Sequence, residues 1–228
     1  MSRGHGLSYA GVMDIHLRGA SPAALPLVLL CLACGYIDAL GYAHHGVFAA
    51  NMTGNTVLAG MALAQQEWGT ALDRLSTLLT FFLGALVGGC FPPDRRWLYQ
   101  VPLFLECALL VVAACLDPAG SAWLAVTTAA MGVQASVIVG VGGSTVSTVV
   151  VTSTLSKLAQ LCAQALVLVP FFGAAPGKRG PGAALLLAWG AYFVGAAAAG
   201  ALLAFSWAMW VGTALVILLA PVQRWYRH

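Results

Sequence analysis

Two carboxylates stand in stretches where a charge is costly. Asp38 lies in the apolar run 23–42 and Glu106 in the run 101–115. An acid held inside such a run is kept for a specific partner or for proton traffic. His44 and His45 follow Asp38, and imidazoles titrate close enough to neutral pH to relay protons toward it. Lys157 is the basic residue embedded in a long apolar stretch. It suits either a pair with Asp38 or the attraction of an anion. Asp38, Glu106, His44 and His45 are thus the candidates for coupling proton movement to another event.

A second group of polar residues opens two apolar stretches. Asn51, Thr53, Gly54 and Asn55 precede one, and Thr152, Ser153 and Thr154 precede the other. Asn, Thr and Ser cap helix starts, and a helix start carries roughly half a unit of positive charge. Two such starts aimed at one cavity, with Asp38, Gln134 and Lys157 nearby, would make a binding site for a small solute or an anion. The plainer role for the same residues is to satisfy backbone where a helix breaks.

The elements around these residues follow a repeated plan. The segments 35–60 and 131–160 each contain a polar residue near a helix end (Asp38-Ala39, Gln134-Ala135), then a Gly-containing link, then a Thr-led helix start. Two further apolar runs follow each. A unit of helix, half-helix, helix, helix crosses a bilayer an odd number of times, so tandem copies are upside down relative to one another.

Composition supplies the setting. Hydrophobic residues make up 61% of the 228 and charged residues only 7%, far below the roughly 25% of a soluble domain. A bilayer core takes roughly 20 apolar residues per helix. Full spans are expected at 23–42, 75–90, 101–115, 122–141, 182–203 and 206–220, with half-helices in 47–65 and 145–172. The expected fold is all-α, a polytopic bundle of about six transmembrane helices and two re-entrant half-helices in an inverted three-plus-three repeat. Residues 1–22 read as a polar tail, 23–116 and 117–222 as the two repeats, and 223–228 as a short basic tail.

Orientation follows the basic residues. With both half-helices re-entrant, the N-terminal tail, Arg95/Arg96, Lys178/Arg179 and Arg224/Arg227 fall on one side, which the positive-inside rule makes cytoplasmic. Asp73 and Asp117 then face outward, and both termini are cytoplasmic. Most tryptophans, Trp68, Trp123 and Trp207 among them, fall near span ends, as an aromatic belt would place them.

Other function classes find little support. The net charge is +3 and the basic residues occur at run edges, so nucleic acid is not an expected partner. Cys31 and Cys34 have C-x-x-C spacing, yet a structural metal site needs four ligands, and a small buried thiol packs as a hydrophobe. No metal or cofactor is expected. The chain lacks the H-E-x-x-H and G-x-S-x-G patterns, so it is read as no enzyme. The partners expected are membrane lipid and a small-molecule or ion substrate. Small-residue runs such as 195–200 suit packing within a monomer or across a homo-oligomer.

The string DALGY...GVFAANMTGNTVLAG, with VQA...TVVVTSTLSKLAQ later, resembles the YoaK-like family of bacterial six-span membrane proteins, a domain of unknown function. Asp38, Phe48, Asn51, Thr53, Gly54 and Asn55 match its first motif, and the second motif departs from it at Ala135 and Ser153. The resemblance implies six spans and an inner-membrane location. It implies no substrate. A secondary transporter or channel is the expected function, with a membrane scaffold or regulatory protein as the alternative and a membrane-embedded enzyme behind it.

Overall fold

The computed structural model describes residues 24–91, 100–136, 139–141, 144–146, 151–163 and 182–219. Eight α-helices lie among them: α1 (Ala24–His45), α2 (Met52–Ala64), α3 (Trp68–Gly89), α4 (Val101–Ala114), α5 (Ser121–Ser136), α6 (Val151–Ala163), α7 (Gly182–Leu202) and α8 (Ala208–Ile217). A two-stranded antiparallel ribbon, β1 (Val139–Val141) and β2 (Ser144–Val146), pairs Val139 with Val146 and Val141 with Ser144. Where a span was expected to continue to 141, α5 stops at Ser136. The β-branched residues that follow, divided by Gly142-Gly143, form the hairpin instead.

The burial pattern is that of a protein in lipid. On α3 the buried residues are Ala71, Thr77, Gly84 and Gly88, whereas Leu72, Leu75, Leu79, Phe82 and Leu86 are exposed. That spacing puts the large apolar side chains on one outward face. Helix α7 does the same, with Ala184, Ala188, Ala191 and Ala199 buried and Leu186, Leu187, Phe193 and Val194 exposed. Water would not tolerate these faces. Lipid does, and small residues inside let the backbones approach closely. Helices α1, α3 and α7 are long and apolar enough to cross a membrane, while α4 and α8 are apolar but shorter.

Helix α1 is central. It packs along α7 and against α8, while α5 packs along α3 and against α4. Helix α4 also meets α8, and α2 and α6 lie against α3 and α7 respectively. Both long pairings close on glycine. A Cβ on Gly35 would collide with the carbonyl of Tyr192, and one on Gly195 with the carbonyl of Leu32. Likewise a Cβ on Gly84 would strike the carbonyl of Ala129, and one on Gly132 that of Phe81. In each case the struck residue lies three before the partner's own glycine. The two crossings are built alike.

Contacts at the ends fix the direction of each helix. His45 Nε2 lies 2.8 Å from the Pro118 carbonyl, and Arg74 Nη1 donates to the Gly46 carbonyl at 3.1 Å. A cavity at the same end is lined by His44, Pro118, Trp123, Leu203 and Ser206. The end of α1, the start of α3, the α4–α5 turn and the α7–α8 turn therefore gather at one end of the bundle. At the opposite end Gly88 lies against Val133 and Ser136, and Gln134 Nε2 donates to the Leu30 carbonyl at 3.1 Å. Thus α1, α4 and α7 run toward the His45 end, and α3, α5 and α8 run away from it.

Two assignments made from the sequence shift. Helix α3 begins at Trp68, seven residues before the expected 75, because Asp73 and Arg74 are carried inside a helix instead of ending a loop. His44 and His45 form the last turn of α1 and are not part of the link. The N-terminal tail and the basic residues at 95–96, 178–179 and 224–227 lie outside the described residues.

Candidate functional site

Helix α1 stops at Gly46, whose φ of +63° is a left-handed conformation that glycine adopts without penalty. Residues 46–51 then turn back along α1. Gly41 is the landing place, since a Cβ there would sit 2.9 Å from the Val47 carbonyl oxygen and 3.3 Å from the Ala49 nitrogen. Seven residues of α1 separate His45 from Asp38, a drop of about 10 Å at 1.5 Å per residue. The link descends by that amount, and α2 climbs back to the His45 end, where Glu67 immediately precedes α3.

Asp38 holds the bottom of this descent. It is buried, and its Oδ1 accepts hydrogen bonds from the Ala50 nitrogen at 2.5 Å and the Asn51 nitrogen at 3.3 Å. Its Oδ2 accepts from the Tyr192 hydroxyl of α7 at 2.5 Å. The carboxylate therefore lies at the positive start of α2, where an anion is stabilised. The anion expected at that helix start is the protein's own side chain. The carboxylate is engaged by Tyr192 and the link backbone, and Lys157 stands exposed on α6.

The remaining motif residues also serve the backbone. Asn51 is the N-cap of α2, its Oδ1 accepting from the Gly54 nitrogen at 3.2 Å. Asn55 is fully buried and grips Phe48 at both ends of its peptide unit: Oδ1 accepts from the Phe48 nitrogen at 2.9 Å and Nδ2 donates to its carbonyl at 2.6 Å. The Phe48 ring stacks on Tyr42 at 4.8 Å and covers Gly54, where a Cβ would lie 3.1 Å from it. A larger residue at 54 would push the ring aside. Thr53 is exposed, and Thr56 donates to the Met52 carbonyl.

The second half-site is placed differently. Thr152 and Ser153 are exposed on α6 and Thr154 is buried. Among the described residues, the main packing partner of helix α6 is α7. Gln134 reaches α1 at Leu30, two turns before Asp38. When the two glycine crossings are set side by side, Gly35 against Gly132 and Gly195 against Gly84, Asp38 falls on Ala135, Gln134 on Ile37 and Tyr192 on Phe81. One crossing carries an acid–phenol pair. The other carries alanine and phenylalanine at those positions.

Glu106 is fully buried on α4, and neither carboxyl oxygen has a hydrogen-bond partner among the described residues. Cys34, one turn before Asp38 on the same face of α1, is close enough to both acids to interact with each electrostatically. Trp123 Nε1 and Thr127 Oγ1 on α5 are also buried without a partner among the described residues. Trp123, expected in an interfacial belt, instead sits inside and stacks on His45 at 5.6 Å. Among the described residues no group of three His, Cys, Asp or Glu could hold a metal ion.

Sequence reasoning missed Tyr192 and the hydroxyls of α3. Tyr192 lies 154 residues from Asp38, and no local signal ties the two. A polar ladder was visible in Ser76, Thr77 and Thr80, whose i, i+3, i+4 spacing shares one helix face. A cavity of about 230 Å³ opens beside it, lined also by His45, Asp73 and Ser121.

Comparison with known proteins places this arrangement in a family. The transmembrane protein YoaK of Bacillus subtilis (strain 168), a UPF0700 protein, is 33% identical over 143 residues, which is 58% of this chain and 64% of YoaK. The chain therefore spans just under two thirds of that relative's length. No solved structure matches. The model of the protein family of unknown function DUF1275 matches residues 26–222, nearly the whole helical bundle with the Asp38 link inside it, and the chain belongs to that family.

Proposed function

We propose that the chain is a secondary transporter or channel for a small solute, built as an inverted repeat of three spans and one re-entrant half-helix. The observation that carries this reading is the matched pair of reciprocal glycine crossings, Gly35 with Gly195 and Gly132 with Gly84. Exchanging α1 with α5, α2 with α6, α3 with α7 and α4 with α8 maps the main helix pairings of the described residues onto one another, with α4–α8 mapping onto itself. Helices α1, α3 and α4 also run opposite to their counterparts α5, α7 and α8. Copies related in this way and packed around a shared centre can exchange conformations, which opens a central site to either side in turn. The descent of residues 46–51 to Asp38 supplies the broken backbone that such folds place at a cavity.

On this reading six helices cross the bacterial inner membrane, α2 and α6 enter and leave on one side each, and the termini are cytoplasmic. Asp38 and Glu106 are then the groups that accept and release a proton during the cycle. A second reading has one observation in its favour. Asp38, Asn51 and Asn55 are spent on the protein's own backbone, as a membrane scaffold would use them.

Flux separates the two. Purified protein in sealed liposomes with an internal pH dye should give solute-dependent proton movement for at least one member of a panel of small cations, anions and neutral solutes. Asp38→Asn should abolish that movement while the protein stays folded. Flux equal to that of protein-free liposomes across all three solute classes would favour the scaffold.

A further inference from the structure

We infer that the cavity between α3 and α5 at the His45 end binds a small monovalent cation, either a metal ion or a protonated amine. The geometry leaves the hydroxyl and carboxylate side chains of the cavity wall as acceptors, beside the first turn of α5 at Ser121. Ser76 Oγ donates to the Asp73 carbonyl at 2.7 Å, and Thr77 Oγ1 donates to the same oxygen at 2.9 Å. Thr80 Oγ1 has the Ser76 and Thr77 carbonyls at 3.1 Å and the Thr128 hydroxyl at 2.6 Å, and Thr128 has the Ala125 carbonyl at 3.1 Å. A hydroxyl owns one proton and two lone pairs. One proton of the Thr80–Thr128 pair lies between the two hydroxyls and the rest go to helix carbonyls, so the lone pairs left over are what these side chains offer a ligand.

His45 adds to the same balance. Its Nε2 faces the Pro118 carbonyl, and a carbonyl only accepts, so Nε2 is the donor there and its N–H is not offered to the cavity. Asp73 lines the cavity with a carboxylate that has no hydrogen bond or ion pair among the described residues. Arg74 is the nearby base, and its guanidinium is turned to Gly46. Among the described residues at this end of the bundle, three carboxylates, Glu67, Asp73 and Asp117, stand against one guanidinium, Arg74. The ladder from Asp73 to Thr80 descends about 10 Å along α3, toward the Gly84–Gly132 crossing.

A cavity of about 230 Å³, with Asp73 and Ser76 exposed at its mouth, suits a partly hydrated alkali-metal ion or a methylammonium-sized amine. This inference names a substrate class for the transport reading above and rests on it for the inward route, but binding itself does not require flux. The test is thermal unfolding of the purified full chain in sodium, potassium or methylammonium chloride, with ionic strength held constant by choline chloride. One of the three cations should raise the unfolding midpoint saturably, and the identity of that cation separates metal from amine. Asp73→Asn should raise its half-saturation concentration by about tenfold, the loss of roughly one charge-assisted contact. Ser76→Ala, an exposed change that leaves the packing intact, should raise it by a smaller factor. Equal midpoints in all four salts would overturn the inference, as would a saturable response that Asp73→Asn and Ser76→Ala leave unchanged, or a response that follows the anion when chloride is exchanged for sulfate. Binding without flux in liposomes would retain the cation site and remove transport; flux with no cation response would do the reverse.

Discussion

At the scale of the residue, Asp38 is a structural staple before it is anything else. Its carboxylate takes two link nitrogens and the Tyr192 hydroxyl, so removal and neutralisation should differ. Asp38→Ala leaves those donors buried without an acceptor and should destabilise the protein by about 2–4 kcal/mol. Asp38→Asn keeps an oxygen for the link and should cost about 1 kcal/mol. Denaturation of the two purified variants side by side checks this, and equal losses would show that the charge itself holds the link. Glu106 presents the opposite case. A fully buried carboxyl with no partner among the described residues weakens the fold, so Glu106→Leu should raise the unfolding midpoint, and a fall of several degrees would reveal a partner. The sequence marked both acids as exceptional because each interrupts an apolar run. It could not say that one is saturated and the other bare, since the partners of Asp38 come from a link that folds back and from a helix 154 residues away.

At the scale of the element, the glycines divide into two kinds. Gly35, Gly84, Gly132 and Gly195 each lie against a neighbouring backbone carbonyl, and adding a methyl group there forces two helices apart. Alanine at any one should destabilise by about 1–3 kcal/mol or prevent assembly. Gly60, Gly190 and Gly200 have open space where a Cβ would go, so alanine there should stabilise by up to about 1 kcal/mol through helix propensity. Melting curves for the seven variants test the split, and a destabilised Gly190→Ala beside a stable Gly195→Ala would mean the α1–α7 crossing is wrongly placed. Element types were largely legible from apolar run length. The start of α3 was not, because Asp73 and Arg74 look like a loop until Arg74 is seen reaching for Gly46. The ribbon after α5 did carry a signal, in Val139–Val141 and Ser144–Val146 around a Gly-Gly pair. An apolar stretch in a membrane chain reads first as helix, which hides that signal.

At the scale of the whole molecule, the recurring half-helix motif suggests two related halves, and the helix crossings bear on the register that such a proposal would use. Matching Asp38 to Gln134 by polarity gives a different alignment from matching Gly35 to Gly132 by contact. Backbone contact is the firmer guide, since a helix crossing fixes position along both axes while a polar side chain can reach up or down a turn. The orientation of this plan in the membrane has a direct test in two of the protein's own thiols. Cys115 and Cys90 are both exposed. Cys115 adjoins the α4–α5 turn at the His45 end, and Cys90 follows α3 at the opposite end. The basic residues at 95–96, 178–179 and 224–227 favour a cytoplasmic location for the Cys90 end. In variants that keep one of these cysteines and lose the rest, a membrane-impermeant maleimide added to intact cells should label Cys115 and spare Cys90, and permeabilisation should expose Cys90. Labelling of both from outside would mean that the chain crosses the membrane once more or once less between residues 90 and 115 than α4 alone provides. Labelling of Cys90 alone would invert the bundle and place the acidic cavity mouth at Asp73 on the cytoplasmic side, where a cation would be captured from within the cell.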